Sequence, residues 1–159
     1  MSLFRRISIL LASLALAACG FAPVYGTGGT GTKLQNQVEV SEPDTLNGYL
    51  LTRRIEERLG RSGDPSYKLD VAVRTRQENL AVDTEGSITR YNILGYADFS
   101  LINAKSGGVV ASGSVDNFTG YSAAGTTVAT LAAERDAQKR LMVLLADQIT
   151  TRVLSTDVP

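Results

Sequence analysis

Residues 90–118 read RYNILGYADFSLINAKSGGVVASGSVDNF. Tyr91, Ile93, Ala97, Phe99 and Leu101 alternate with Arg90, Asn92, Asp98 and Ser100. A period of two sends successive side chains to opposite faces of a strand, so one face is apolar and the other polar. Leu94 and Tyr96 are the apolar exceptions on the polar side. Residues 103–108, NAKSGG, gather turn formers and read as a tight hairpin loop. Val109, Ala111, Gly113 and Val115 then alternate with polar residues, which predicts a second strand ending near residues 116–118. An antiparallel pair with one apolar face needs a second layer to cover that face.

The flanking segments supply that layer. Upstream, Tyr67, Leu69, Val71 and Val73 alternate with Lys68, Asp70, Ala72 and Arg74, and the DTEGS of residues 83–87 is a turn. Residues 37–41, QVEVS, read as a short strand. Between these two strands, residues 45–59 carry Leu46, Leu50, Leu51, Ile55 and Leu59 at helical spacing, with Asp44 as the expected N-cap after Pro43. Residues 121–127 form a small-residue loop, and residues 130–154 a long helix whose stripe is Leu141, Leu144, Leu145, Gln148, Ile149 and Val153. Glu134, Arg135, Asp136, Lys139 and Arg140 make its solvated face. The order is β-α-β-β-β-α. Its first strand–helix–strand unit favours a parallel crossover, and the later strands form antiparallel hairpins. The expected fold is α+β, a two-layer sandwich of a four-stranded mixed sheet with two helices on one face. Leu145 and Ile149 should face the sheet against Val71, Ile93 and Phe99. The helix-free face should show Lys68, Arg74, Arg76, Arg90 and Asn92 with Leu94 and Tyr96.

The N-terminus carries a different signal. Arg5 and Arg6 precede an apolar run over residues 7–18, too short for a comfortable bilayer span of about 20 residues. Leu16-Ala17-Ala18-Cys19 fits a bacterial lipobox: an aliphatic residue, two small ones, then the cysteine that receives lipid. Cys19 is the single cysteine and the chain has no histidine, so a disulfide, a zinc site and a thiol–imidazole pair are poor readings of it. The expectation is a removed signal over 1–18, a lipidated N-terminus and flexible tether over 19–36, and a folded domain over 37–159. Gly20 stands where an aspartate would favour retention at the inner membrane, which favours the outer membrane. The glycine-rich 26–33 lacks the lysine directly after its last glycine that a phosphate loop needs, so it reads as tether.

The sequence holds 16 basic and 16 acidic residues, which gives no global basic field for nucleic acid. Without histidine the commonest general base is missing, and no G-x-S-x-G elbow occurs. No metal set, cofactor or catalytic residue is expected, and an anchored hydrolase is a poor reading.

Cys19-Gly20-Phe21 with Pro23 and Tyr25-Gly26, then Arg90-Tyr91, Phe118-Thr119 and the ERDAQKRLMVLLADQI of residues 134–149, together resemble the LptE family of lipopolysaccharide-assembly lipoproteins in its alphaproteobacterial branch. The resemblance implies the same fold of two helices on four strands. It implies a non-enzymatic protein of the outer membrane that plugs the β-barrel LptD, assists its assembly and takes part in lipopolysaccharide transport. The implied partners are LptD, lipopolysaccharide and, through Cys19, the membrane. The alternative is a general periplasm-facing lipoprotein that tethers or binds another envelope component. A plug must meet the polar interior of a barrel. The candidate contacts, for barrel or lipopolysaccharide, are Arg74, Arg76, Arg90, Tyr96, Phe118 and Tyr121. The plain alternative is that these arginines are solvated and the aromatics cap the core. The turn between the second and third strands is acidic, with Asp83 and Glu85.

Overall fold

The computed structural model describes residues 24, 26, 29–82, 84–156 and 158; Cys19 and Asp83 lie outside them. Among these residues three helices and four strands follow in order: α1 (Thr30–Leu34), β1 (Val38–Val40), α2 (Leu46–Leu59), β2 (Tyr67–Val82), β3 (Ile88–Asn103), β4 (Val109–Ser122) and α3 (Thr127–Leu154). The sheet order is β1-β2-β3-β4. β1 runs parallel to β2, and the other two pairs are antiparallel. The α+β fold is the expected one: α2 packs on β1 and β2, α3 on β3 and β4, and the two helices pack on each other.

Period-two burial decides which face the helices cover. Leu69, Ile93, Ala97, Phe99, Leu101 and Val115 are buried and join Leu51, Ile55, Leu59, Leu141, Leu145 and Ile149 in one core. Leu145 and Ile149 are in that core as expected with Ile93 and Phe99, and Val71 is half-buried against it. The expected stripes are too wide at two places. Leu46 is 71% exposed, and Leu144 is 41% exposed. Leu46 opens the first turn of α2, and Leu144 lines an open depression at the β4 edge with Val115, Asp116 and Asn117.

Four boundaries also differ. The N-cap of α2 is Thr45, whose side chain accepts from Gly48 N–H at 3.0 Å, and not Asp44. β2 runs well past Arg74, and β4 well past residue 118, because β3 between them is long enough to pair with both. The chain before residue 37 is not all tether. Leu34 of α1 is fully buried, the Thr30 hydroxyl donates to Thr156 O at 3.2 Å, and Lys33 Nζ donates to Val158 O at 2.6 Å. Val158 is itself fully buried. A short helix that buries Leu34 and is held by the C-terminal tail packs as part of the domain, so the folded structure begins before the expected boundary.

One glycine fastens this end. Gly60 ends α2 at φ 79°, and a Cβ there would lie 2.0 Å from Asn36 Oδ1. Asn36, itself at φ 57°, donates its backbone N–H to Leu59 O at 2.7 Å. Only glycine fits a left-handed position with a neighbour that close.

Candidate functional site

In an antiparallel sheet the paired residues share a face. Arg74 pairs with Tyr96 and Tyr96 with Asp116; Arg76 pairs with Leu94 and Leu94 with Phe118; Arg90 pairs with Ser122. Five of the six expected contact residues, Arg74, Arg76, Arg90, Tyr96 and Phe118, therefore lie on the helix-free face. Tyr96 is 39% and Phe118 61% exposed. A two-layer fold leaves this face bare because both helices are spent on the other.

Tyr121 does not join them. It pairs with Tyr91 on the helix side, is 8% exposed, and stacks on the Tyr91 ring at 5.2 Å between centroids. Burial first, then the charges of Glu134 and Tyr91, push its phenol above the ordinary tyrosine value; a hydrogen bond with Gln77 opposes them. Reading residue 121 as the start of a loop hid this, since a strand continuing to Ser122 keeps the parity of Val115 and Thr119 and turns Tyr121 inward. Tyr121 packs in the core, apart from the other five.

The charges of the bare face are largely paired. Arg74 meets Asp98 at 3.1 Å, and Asp98 also accepts from the Ser114 hydroxyl at 2.7 Å. Arg76 pairs with Glu78, and Lys68 with Asp70. Such exposed pairs hold by about 0–1 kcal/mol and exchange partners easily. Arg90 has no ion pair among the described residues. It lines a shallow depression with Leu80, Tyr91, Gly120, Tyr121 and Ser122. Leu80, 57% exposed, adds an apolar wall that the sequence reading missed, because the alternation was followed only to Arg74. The bare face thus combines Arg90, without an ion pair among the described residues, with exposed Tyr96 and Phe118, and Leu80 stands beside Arg90 at the bulge of β2. That is a binding chemistry, suited to a partner with both anionic and apolar groups.

The described residues include no cluster of three His, Cys, Asp or Glu that could hold a metal, and no helix long and apolar enough to cross a membrane.

The sequence pattern of the LptE family, described as lipopolysaccharide-assembly, matches residues 35–153. The chain belongs to the LptE family. Membership gives it a role in lipopolysaccharide assembly as a lipoprotein. Solved structures agree on the fold. A lipoprotein candidate from Caulobacter crescentus is 26% identical, covering 81% of this chain and 94% of its own, with a TM-score of 0.67. Rare lipoprotein B from Shewanella oneidensis is 14% identical, covering 74% and 91%, with a TM-score of 0.56. A minor lipoprotein from Acinetobacter baumannii is 16% identical, covering 79% and 99%, with a TM-score of 0.57. No curated protein sequence matches the chain.

Proposed function

We propose that this LptE-family chain is a lipid-anchored plug and assembly partner of the outer-membrane barrel LptD. The observation that carries the reading is the bare sheet face: arginines in exchangeable pairs, Arg90 without an ion pair among the described residues, and exposed Tyr96 and Phe118 in place of a wide apolar patch. A barrel lumen is polar, and a plug needs groups that trade solvent and internal partners for lumen carboxylates and amides. The same face can meet lipopolysaccharide, whose phosphates suit Arg90 and whose acyl chains suit Leu80 and Phe118.

The two ends of the domain differ in a way that fits an anchored plug. α1 sits with the C-terminal tail at the end where β2 begins, and the β2–β3 turn lies at the far end of the long strands. With lipid on Cys19, the domain stands on the membrane by its α1 end and carries the β2–β3 hairpin away from it. A lipidated N-terminus with two or more acyl chains holds stably.

The test changes Arg74, Arg76 and Arg90 together to glutamate and reads folding, LptD recovery and lipopolysaccharide binding separately. A folded variant with reduced LptD recovery or lipopolysaccharide binding supports the reading. Wild-type levels of all three move the contact surface to the helices. For the anchor, metabolic labelling with a clickable fatty acid should mark the wild type and not Cys19→Ala. An unlabelled wild-type chain in the soluble fraction removes the anchor from the proposal.

A further inference from the structure

The sheet has two outer edges, and they are finished differently. In β4 the odd residues exchange backbone hydrogen bonds with β3, so the even residues point their backbone groups outward. Two of those groups are capped: Asn117 Oδ1 accepts from Phe118 N–H at 2.8 Å, and Arg140 donates to Gly120 O at 3.2 Å. β2 is covered only at its start. There Tyr67 N–H donates to Gln37 O and Leu69 O accepts from Ser41 N–H, so the odd residues of β2 face the edge. The Ser41 hydroxyl closes this cover by accepting from Val71 N–H at 3.4 Å. Beyond it, Val73, Thr75, Gln77 and Asn79 turn their backbone groups sideways, with no strand beside them among the described residues. The regular ladder stops at a bulge after Asn79.

We propose that this open edge pairs antiparallel with the same edge of a second copy, joining two four-stranded sheets into one. The occupant is argued from charge. With Gln77 on the two-fold axis, Arg76 lies across from Glu78 of the other copy, twice, and Thr75 across from Asn79, twice. Opposite charges across strands stabilise a pair, and like charges oppose it. Each neighbouring register brings like charges face to face, although centring on Arg76 also sets Arg74 across from Glu78. Centring on Thr75 sets Arg74 against Arg76, centring on Arg76 sets Arg76 against itself, and centring on Glu78 sets Glu78 against itself. The favoured register also places the edge-facing residues 75, 77 and 79 opposite edge-facing residues, giving about six backbone hydrogen bonds. Arg76 and Glu78 are already paired within one chain, so the pairing exchanges one exposed ion pair for another. The inference does not rest on the plug function, since it needs nothing but this chain.

The test is oxidative cross-linking of full-length chains in their own membrane, with the parent chain, whose single cysteine is Cys19, as the blank. Gln77→Cys should give a disulfide dimer above the blank, because hydrogen-bonded partners lie about 5.5 Å apart at Cα. Thr75→Cys alone should not, because its two copies stand four residues apart along the strand, about 13 Å. Thr75→Cys and Asn79→Cys chains expressed together should link. Glu78→Lys and Arg76→Glu, each introduced into the Gln77→Cys chain, should each weaken association about tenfold or more, and the double swap should restore it. All five sites are exposed, and an unchanged thermal melt verifies folding. Equal cross-linking at 75, 77 and 79, no dimer from Gln77→Cys, or charge variants without effect would each overturn the proposal. So would a Gln77→Cys chain that links only to a larger protein, which would assign the edge to a foreign strand.

Discussion

Gly95 lies on the helix face of β3, where α3 crosses the sheet most closely. A Cβ built there falls 2.9 Å from Leu145 Cδ1, 3.0 Å from Leu141 Cδ2 and 3.1 Å from Leu141 Cγ. Both leucines are fully buried, so neither can swing into solvent to make room. Cγ is the branch point of Leu141, and moving it means moving the helix. Gly95→Ala would gain about 0.4–1 kcal/mol by restricting the unfolded chain. Overpacking a filled core costs about 1–3 kcal/mol. Two simultaneous close contacts put the cost in the upper half of that range, so the net loss should be about 1–2 kcal/mol. For a domain of this size that lowers Tm by about 4–8 °C. Thermal unfolding followed by circular dichroism reads it directly. Gly63→Ala is the control: nothing lies within 4 Å of its Cβ position, and its φ is not left-handed. It should stay within about 0.5 kcal/mol of wild type. Combining Gly95→Ala with Leu145→Ala should cost less than the two single changes added, because the cavity left by one receives the methyl of the other. A Gly95→Ala protein as stable as wild type, with additive behaviour in the pair, would refute the close approach of α3.

Other changes probe the ends and the core. Leu34→Ala should destabilise the domain by about 2–5 kcal/mol in a denaturant titration, since α1 is core; a tether residue would show no change. Gly60→Ala should cost more than Gly63→Ala by about 2 kcal/mol or more in the same titration, because it adds a left-handed Cβ and a clash with Asn36. The phenol of Tyr121, raised above its ordinary 10.0, stays protonated in the fold after the unfolded chain begins to ionise. Its contribution is present in full below pH 10.0 and is lost as pH rises through the folded value. Melts between pH 9 and 11 should therefore fall more steeply for wild type than for Tyr121→Phe; parallel curves would remove Tyr121 as the cause.

The alternation of Tyr91, Ile93, Ala97, Phe99 and Leu101 made β3 legible, and β3 organises the rest of the sheet. What the alternation could not show is how far its neighbours follow it. Past Arg74, β2 reads TRQENLAV and carries no apolar face of its own. It is a strand because β3 pairs with it as far as Val82, a tertiary cause that a local pattern lacks. The same holds for Phe118 and Tyr121, where Asn117 and Gly120 read as strand breakers but β3 continues opposite them. For the site, period two correctly placed Arg74, Arg76, Arg90 and Tyr96 on one face once the strands were known. Tyr121 failed by the same rule, since its parity was read without the strand that fixes it. The carboxylates that neutralise Arg74 and Arg76 were visible as Asp98 and Glu78, but their pairing depends on strand register, which spacing alone leaves open.

The mismatch in length between strands and first helix ties these features together. α2 starts beside the pocket lined by Ser41, Gly48 and Val73, so it covers only the first half of β2. Residues 74–80 are exposed on both faces and along one edge. Their backbone is held from one side only, by β3. Local opening free energy follows buried contacts, so it should be lowest in the β2–β3 hairpin and highest where α2, α3 and the C-terminal tail close on α1. The well-packed end is also the end from which the N-terminus leaves. If the domain is anchored through Cys19 as proposed, it presents to a barrel or a second strand the part that has least structure to lose. Amide exchange tests that gradient: amides of Gln77 and Asn79 should exchange much faster than those of Leu145 and Ile149. Comparable protection at both ends would mean that the hairpin is rigid by contacts the sheet alone does not supply.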